Sequence, residues 1–450
     1  MIVMKFGGSS VADAEHIRRV AEIVQERLGK KPIVVLSAMG DTTDFLLEAA
    51  EKALDIGPAS VKFSVEKIRD AHLNALRELE LSKTLTPDLL ELLDELAGLL
   101  AGISLIKELT ARTRDYLVSF GERLSIRVVS RYFQSIGINA RAIDAWDAGF
   151  ISDSNFGSAE LLAESWQSIP QSLLPLLDEG IIPVVTGFIA KDAAGAITTL
   201  GRGGSDLSAT MIAAACKAEE AQVWKDVDGI LTADPRIVAE ARPVGAVTYD
   251  EAAELAFFGA QVLHPRAMQP CGKTGTPVLV KNSYNPKAPG SVISAFLPAN
   301  VPPVRAITTR GNVTLVDIVS SRMVGQYGFL AEVFSCFARH EISVDMVATS
   351  EVSVSLTLDA AHDLAAVKKT LSSIAHVEVK TKKAIVTIVG LVDQSSVILE
   401  SAFGVCAGLG VQTQMLSQGA SKVNISFIVD EAEAAIIVRG LHKKFFANEN

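Results

Sequence analysis

Twice in this chain a short apolar strand runs into glycines and then into a helix, and this pattern most constrains the fold. The first copy is Ile2–Phe6 followed by Gly7, Gly8, Ser9 and Ser10. The second is Ile197–Leu200 followed by Gly201-Arg202-Gly203-Gly204-Ser205-Asp206. Glycines at such a junction let backbone N–H groups approach a ligand closely. The helix start beyond them adds partial positive charge, so each turn suits an anion. In the first copy Ser9 or Ser10 is expected to cap a helix with Ile17, Val20, Ile23, Val24 and Leu28 on one face. In the second, Ser205 or Asp206 is expected to cap the helix from Leu207 to Ala215.

Two cations stand at these turns. Arg202 can grip a carboxylate or phosphate with two parallel hydrogen bonds. Lys5 ends an otherwise apolar strand, where an unpaired ammonium is costly. A point charge there can neutralise a transferring phosphoryl group. A single GxGG is more often a plain surface turn, but the recurrence of the design favours phosphate chemistry.

The 450 residues suggest two or three domains, and 49% of them are hydrophobic, enough for a large core. The net charge of −10 argues against a nucleic-acid binder. Cys216, Cys271, Cys336 and Cys406 are far apart, so neither a disulfide framework nor a zinc site is indicated. No metal site is expected in the protein itself. The chain opens directly on a strand and has no apolar run of membrane-spanning length, so a cytoplasmic protein without a membrane partner is expected.

Strands at Lys31–Ser37, Ile181–Phe188 and Gln222–Asp226 alternate with helices, and residues 43–137 read as mostly helical. The leucines around 89–93 and 99–109 read as packing. A largely parallel sheet covered on both faces follows. Ligands then bind at the carboxyl ends of its strands, where Lys5, Ser37, Arg202 and Lys225 fall. Gly272-Lys273-Thr274 is not a P-loop, because Ala267 stands where its first glycine belongs. Nor is Gly201-Arg202-Gly203 a dinucleotide fingerprint, because Asp206 replaces the third glycine.

Beyond the Pro-bearing linker 297–303 the pattern becomes βαββαβ over about 313–382 and begins again at about 385–450. Ile342-Ser343-Val344-Asp345 matches Leu409-Gly410-Val411-Gln412, and Ser353–Leu356 matches Val423–Ser426, which marks an internal repeat. The second copy lacks a sixth strand. The segment 304–309 could supply it, leaving the first copy inserted in the second.

In the combination of these motifs the chain resembles the monofunctional aspartate kinases nearly end to end. The resemblance rests on Lys5–Val11, Ser119-Phe120-Gly121-Glu122, Thr199–Asp206, Lys225–Ile230, Phe258–Pro265, Ser343–Asp345 and Thr349–Ser353. Val223–Asp226 and Lys281–Lys287 look most like the plant-type, lysine-sensitive branch. The resemblance implies an α/β, three-layer amino-acid-kinase fold with a mainly parallel sheet over 1–297. Two ferredoxin-like ACT domains would follow over 304–450.

The implied activity is ATP-dependent phosphorylation, with Mg2+, of the side-chain carboxylate of L-aspartate. That carboxylate is already an anionic nucleophile, so alignment and charge screening suffice. By resemblance, Lys5 and the Gly7–Ser9 turn hold phosphates and Asp206 holds Lys5. Arg202 grips the α-carboxylate of aspartate and Glu122 receives its ammonium, with Ser37, Thr43 and Ser205 nearby. ATP extends over Lys225, Asp226, Leu231, Arg236 and Gln261. Some relatives carry threonine at 225 and lysine at 261, so the positive charge has changed place.

A lysine effector site is implied at Met323, Val324, Phe329, Leu330, Ser343, Val344, Asp345, Thr349, Ser350 and Glu351. Asp345 and Glu351 suit ammonium groups. Gln326 departs from serine in a relative, which leaves S-adenosylmethionine open as a co-effector. Pairing of ACT domains implies a homodimer or homotetramer. Phosphorylation of glutamate, acetylglutamate or a nucleotide is the enzymatic alternative, and a non-catalytic amino-acid sensor is the other. The ACT pair and the Glu122 motif weigh against the first. The presence of Lys5, Arg202 and Asp206 weighs against the second.

Overall fold

The computed structural model describes residues 1–55, 58–81, 87–259, 263–299, 301–323, 327–359, 363–391, 395–418 and 423–447, with only the backbone of 58–60 and 322. The chain packs into two compact units. One comprises Met1–Ile230 and Leu263–Leu297, the other Leu231–Val262 and Pro298–Asn450.

The first unit opens with β1 (Ile2–Phe6), α1 (Ala14–Gln25) and β2 (Pro32–Leu36). Four helices follow: α2 (Thr42–Asp55), α3 (Pro58–Glu78), α4 (Pro87–Ile106) and α5 (Ala111–Ser135). Then come β3 (Ala140–Ile143), β4 (Ile151–Ser152), α6 (Ser165–Asp178), β5 (Ile182–Thr186), β6 (Ile189–Asp192) and β7 (Ile197–Thr199). The helix α7 (Gly204–Ala215) and the strand β8 (Ala221–Lys225) precede the crossing into the second unit. There, β9 (Ala246–Thr248) and α8 (Tyr249–Phe257) form. The chain returns with α9 (Pro265–Thr274), β10 (Val278–Asn282) and β11 (Ser291–Ser294).

Within the first unit the main sheet runs β3-β5-β2-β1-β8-β10-β11. All its pairings are parallel except that of β10 with β11. β1, β2 and β5 are buried at every residue, as expected for unbroken apolar strands covered on both faces. β1 is central: Lys5 lies opposite Val35 on one side and Val223 on the other. Ile17, Val20, Ile23 and Val24 of α1 pack into the same core. Of the leucines in α4, Leu89, Leu92, Leu93, Leu96 and Leu100 are buried, whereas Leu105 stands out into solvent.

Three local expectations are corrected. Gly7 to Val11 form a 3-10 turn, and the cap of α1 is Asp13, whose carboxylate accepts from the His16 N–H. Neither Ser9 nor Ser10 caps it. At α7 the cap position is Gly203, so Ser205 and Asp206 lie inside the first turn. β7 is not in the main sheet. It forms an antiparallel hairpin with β6 in a small sheet beside β4. The cause is local: the Asp192 carboxylate accepts from the Ala194 and Ala196 N–H groups and closes a tight turn through Gly195.

The C-terminal part of the second unit comprises β12 (Val304–Val319), α10 (Phe329–Arg339), β13 (Val347–Thr349), β14 (Ser353–Asp359), α11 (Ala365–Leu371) and β15 (His376–Gly390). α12 (Ser395–Leu409), β16 (Met415–Ser417), β17 (Asn424–Asp430) and α13 (Glu431–Phe446) complete it. The six strands form one antiparallel sheet, β13-β14-β12-β15-β17-β16. The two long strands serve both repeats. Val313–Val319 pairs with His376–Lys383, and Val304–Arg310 pairs with Ile385–Gly390. Separate apolar clusters lie under the two halves, one around Val333, Phe337 and Leu356, the other around Val386, Phe427 and Ile437.

Candidate active site

The helix α5 carries Glu122 beside a loop that follows β2. Gly121 makes their approach possible, since a Cβ there would meet the Ala38 Cβ at 2.7 Å. The Ala38 N–H then donates to Glu122 Oε1 at 3.2 Å, while Oε2 is buried without a hydrogen-bond partner. Burial pushes the Glu122 carboxyl up to about 8, against the opposing pull of the Ala38 N–H and the Lys5 charge. An orphaned carboxylate oxygen of this kind suits a cation supplied from outside.

Lys5, at the end of β1, points its ammonium at Asp206 in the first turn of α7, with Nζ 2.7 Å from Oδ1. Lys225, at the end of β8, lies 3.9 Å from Oδ2 of the same carboxylate. Burial raises the Asp206 pKa, but the two ammonium groups outweigh it and hold the carboxyl below its ordinary range. Burial, aided by the Lys5 charge, lowers the Lys225 ammonium. One carboxylate thus serves two cations and leaves positive charge at the carboxyl ends of two adjacent strands.

The glycine turn before α7 is shaped by crowding as well as by conformation. Gly203 has φ of +73°, and a Cβ on it would meet that of His264 at 2.6 Å. Only glycine fits there, and the turn sets Arg202 and Ser205 at the rim of one cleft. That cleft, of about 810 Å³, brings together Lys5, Gly8, Ser37, Thr43, Glu122, Arg202, Ser205 and Asp206. Gly7, in extended backbone, and Ser9, exposed, flank Gly8.

Sequence reasoning missed Arg114 and Asp115 of α5, which also line the cleft. Asp115 is buried and accepts three hydrogen bonds: from the Gly157 N–H at 2.9 Å, the Thr199 N–H at 2.8 Å and the Thr199 hydroxyl at 2.9 Å. It anchors the strand end from which the glycine turn departs. Its only sequence signal is an acid among the polar residues near the start of α5, which reads as a solvated helix face.

The remaining expected residues are scattered more widely. Asp226 is exposed. Leu231 and Arg236 belong to the second unit, where the Arg236 guanidinium forks onto Asp234 in its own turn. Gln261, Val324 and Gln326 lie outside the described residues.

In the second unit, Phe329 is buried, Met323 and Val344 partly so, and Leu330, Ser343, Thr349, Ser350 and Glu351 are exposed. Asp345 precedes β13, while Thr349 to Glu351 lie at its far end. An Arg310 nitrogen stands 3.4 Å from the Asp345 carboxylate.

Residues 1–282 match the amino acid kinase family, and residues 316–371 and 386–445 match the ACT domain. Aspartokinase 1, chloroplastic, of Arabidopsis thaliana is 49% identical over 457 residues, spanning 99% of this chain and 80% of the relative. The structure is similar to that of E. coli aspartokinase III in complex with aspartate and ADP (R-state), with a TM-score of 0.82, 34% identity and coverage of 99% and 100% of the two chains. It is also similar to the same enzyme in complex with lysine and aspartate (T-state), with a TM-score of 0.81, 34% identity and coverage of 99% of each.

Fold and site together define a phosphotransferase of the amino acid kinase class with an ACT region attached. The charge cluster at the strand ends accords with a carboxyl group as the phosphoryl acceptor. Within that class, the chain belongs to the aspartokinases.

Proposed function

We propose that this chain transfers the γ-phosphoryl group of ATP to the side-chain carboxylate of L-aspartate, giving 4-phospho-L-aspartate and ADP. An acyl O–P bond forms as the bond to the ADP oxygen breaks. The reaction would open the route to lysine, threonine and methionine. The observation that carries it is the joint presence, in one cleft, of the Lys5–Asp206 pair, which Lys225 adjoins, and the orphaned Glu122 oxygen.

Each residue then has a chemical task. Glu122 Oε2 accepts the α-ammonium of aspartate, and Arg202 takes its α-carboxylate, with Ser37, Thr43 and Ser205 at the edges. Lys5 and the Gly7–Ser9 turn lie against the phosphates, Lys225 and Asp226 extend that surface, and Asp206 keeps the Lys5 ammonium in place. No general base is required, because the nucleophile is ionised at neutral pH. Among the described residues no three His, Cys, Asp or Glu side chains cluster as a metal cage. Magnesium would therefore arrive with the nucleotide, held largely by phosphate oxygens and one or two carboxylates. It would neutralise charge that develops during transfer.

We further propose lysine as a feedback inhibitor acting at the first ACT repeat. The lysine complex of the similar E. coli enzyme supports this reading. Because Arg310 already sits against Asp345, a lysine ammonium would have to share or replace that contact. Exposed apolar side chains at Leu330, Phe334, Val347 and Val352 support a homodimer or homotetramer through the ACT domains. The cytoplasm is our proposed location: the four cysteines are free and buried, as in a reducing compartment. Among the described residues no helix is long and apolar enough to cross a membrane.

The test is an assay of each candidate acceptor with MgATP, in which hydroxylamine traps an acyl phosphate as the hydroxamate. Hydroxamate from aspartate is the expected result. Turnover of glutamate without turnover of aspartate overturns the substrate assignment.

A further inference from the structure

A second cleft in the first unit shares α5 with the candidate active site. α5 turns Arg114, Asp115 and Glu122 to the first cleft and Arg112, Tyr116 and Arg123 to the second. The second cleft has a volume of about 380 Å³, within the range of small-molecule sites. Three cations line it, Arg112, Arg123 and Lys191, against the single carboxylate of Glu95. Asp147 and Asp192 feel the charges of Lys191 and Arg112 respectively, but neither lines the cleft.

Where they are not charged its walls are mostly aromatic and apolar, apart from Thr113 and the Tyr116 hydroxyl. Trp146 supplies one face: the Lys191 ammonium lies 4.0 Å from the ring centre and the Arg123 guanidinium 5.6 Å. Leu99 and Ile197 add apolar surface. Arg123 carries most of the argument. It is about nine-tenths buried, and its Nη2 reaches Glu95 at 3.3 Å. Its Nε and Nη1 have no hydrogen-bond partner. Glu95 is shared, because it also accepts the Tyr116 hydroxyl. A buried guanidinium with orphaned donors is costly unless further negative charge balances it. The reaction proposed above uses none of these residues.

We propose that this cleft binds a small molecule with an anionic head, a carboxylate or phosphate ester, on a flat apolar body. The head answers the excess charge of Lys191, Arg112 and Arg123. The body lies against Trp146 and Tyr116, where cations and aromatic faces alternate.

The test uses phenyl phosphate as the probe and tryptophan fluorescence as the readout, on the full chain. A saturable change is expected in the wild type and equally in Lys5→Ala, whose candidate active site has lost its central cation. The change should disappear in Trp146→Phe, because Trp166 and Trp224 lie elsewhere. The Kd should rise roughly tenfold or more in Lys191→Glu, and again in Arg112→Glu; both reverse a charge at the cleft without touching buried Arg123. Any of three results overturns the proposal: no saturable change in the wild type, an unaltered Kd in both charge-reversed variants, or a signal that vanishes with Lys5→Ala.

Discussion

The Lys5 ammonium and the Asp206 carboxylate lie 2.7 Å apart and both are buried, although 201 positions of chain separate them. Their contact joins the central strand of the sheet to the first turn of α7. Through it two glycine turns, far apart in sequence, are tied into one site. Removing Asp206 takes the counterpart from the buried Lys5 ammonium, whereas removing Lys5 leaves the carboxylate with Lys225 at 3.9 Å, so the loss of Asp206 is the more damaging of the two.

Lys5→Ala should therefore lower kcat by a factor on the order of 10²–10³, as loss of a transition-state electrostatic contact typically does. The aspartate KM should change much less. Steady-state kinetics check this, and a near-normal kcat would remove Lys5 from phosphoryl transfer.

Arg202→Ala should act in the opposite sense. The side chain is exposed at the cleft rim and is expected to bind the ground state and the transition state alike. Its loss should raise the aspartate KM by roughly tenfold or more with kcat little changed. A fall in kcat at unchanged KM counts against the substrate-binding role.

Glu122 links pH to both binding and stability. Its carboxyl ordinarily titrates at 4.5 and in the fold at about 8. Between those values the folded state holds a proton that the unfolded state has released, so this group's contribution to stability falls as pH rises from 4.5 to 8. Glu122→Gln should accordingly stabilise the protein more at pH 8 than at pH 5, by at most a few kcal/mol at about 1.4 kcal/mol per pKa unit. The same variant should weaken aspartate binding, because an amide cannot pair with the ammonium as a carboxylate does. For the wild type the aspartate KM should fall as pH rises toward 8, and aspartate binding below pH 8 should release a proton. Thermal unfolding at the two pH values and calorimetry in buffers of different ionisation enthalpy measure these effects.

Asp115→Ala should destabilise the fold by about 2–4 kcal/mol, because it strands two backbone donors and a hydroxyl in a buried site. Denaturant unfolding measures it. The aspartate KM should rise as well, since the strand end that carries the glycine turn loses its anchor. Stability within experimental error of the wild type would show that the three donors find other partners.

Asp345→Ala should raise the lysine concentration for half-inhibition roughly tenfold or more, as expected for loss of a charge-assisted hydrogen bond worth about 1.5–3 kcal/mol. Arg310→Ala should lower it, because a competing cation has been removed from the same carboxylate. Each titration is normalised to the uninhibited rate of its own variant. Equal half-inhibition in all three proteins would take Asp345 out of the effector site. An inhibitor acts only through better binding to the less active arrangement, so the shift measures that difference directly.

Much of the molecule was legible in the residues themselves. The apolar runs within Ile2–Phe6, Lys31–Ser37 and Ile181–Phe188 imply buried parallel strands, because most of their side chains do not tolerate water and Lys5 stands out as the exception. The repeat after residue 304 announces two like folding units. Local sequence could not say which side chains meet. That Asp206 faces Lys5, implied beforehand only by the family resemblance, rather than capping its helix follows from Gly203 taking the cap position of α7. That Asp115 anchors the glycine turn depends on α5 passing Gly157 and Thr199. That Arg310 reaches Asp345 follows from β14 lying between β12 and β13, so that the Arg310 side chain crosses the end of β14, where it also meets Asp359. Local pattern records what each residue needs, a buried face or a polar partner. Only the closed fold, by bringing distant segments within a few ångströms, decides which partner meets that need.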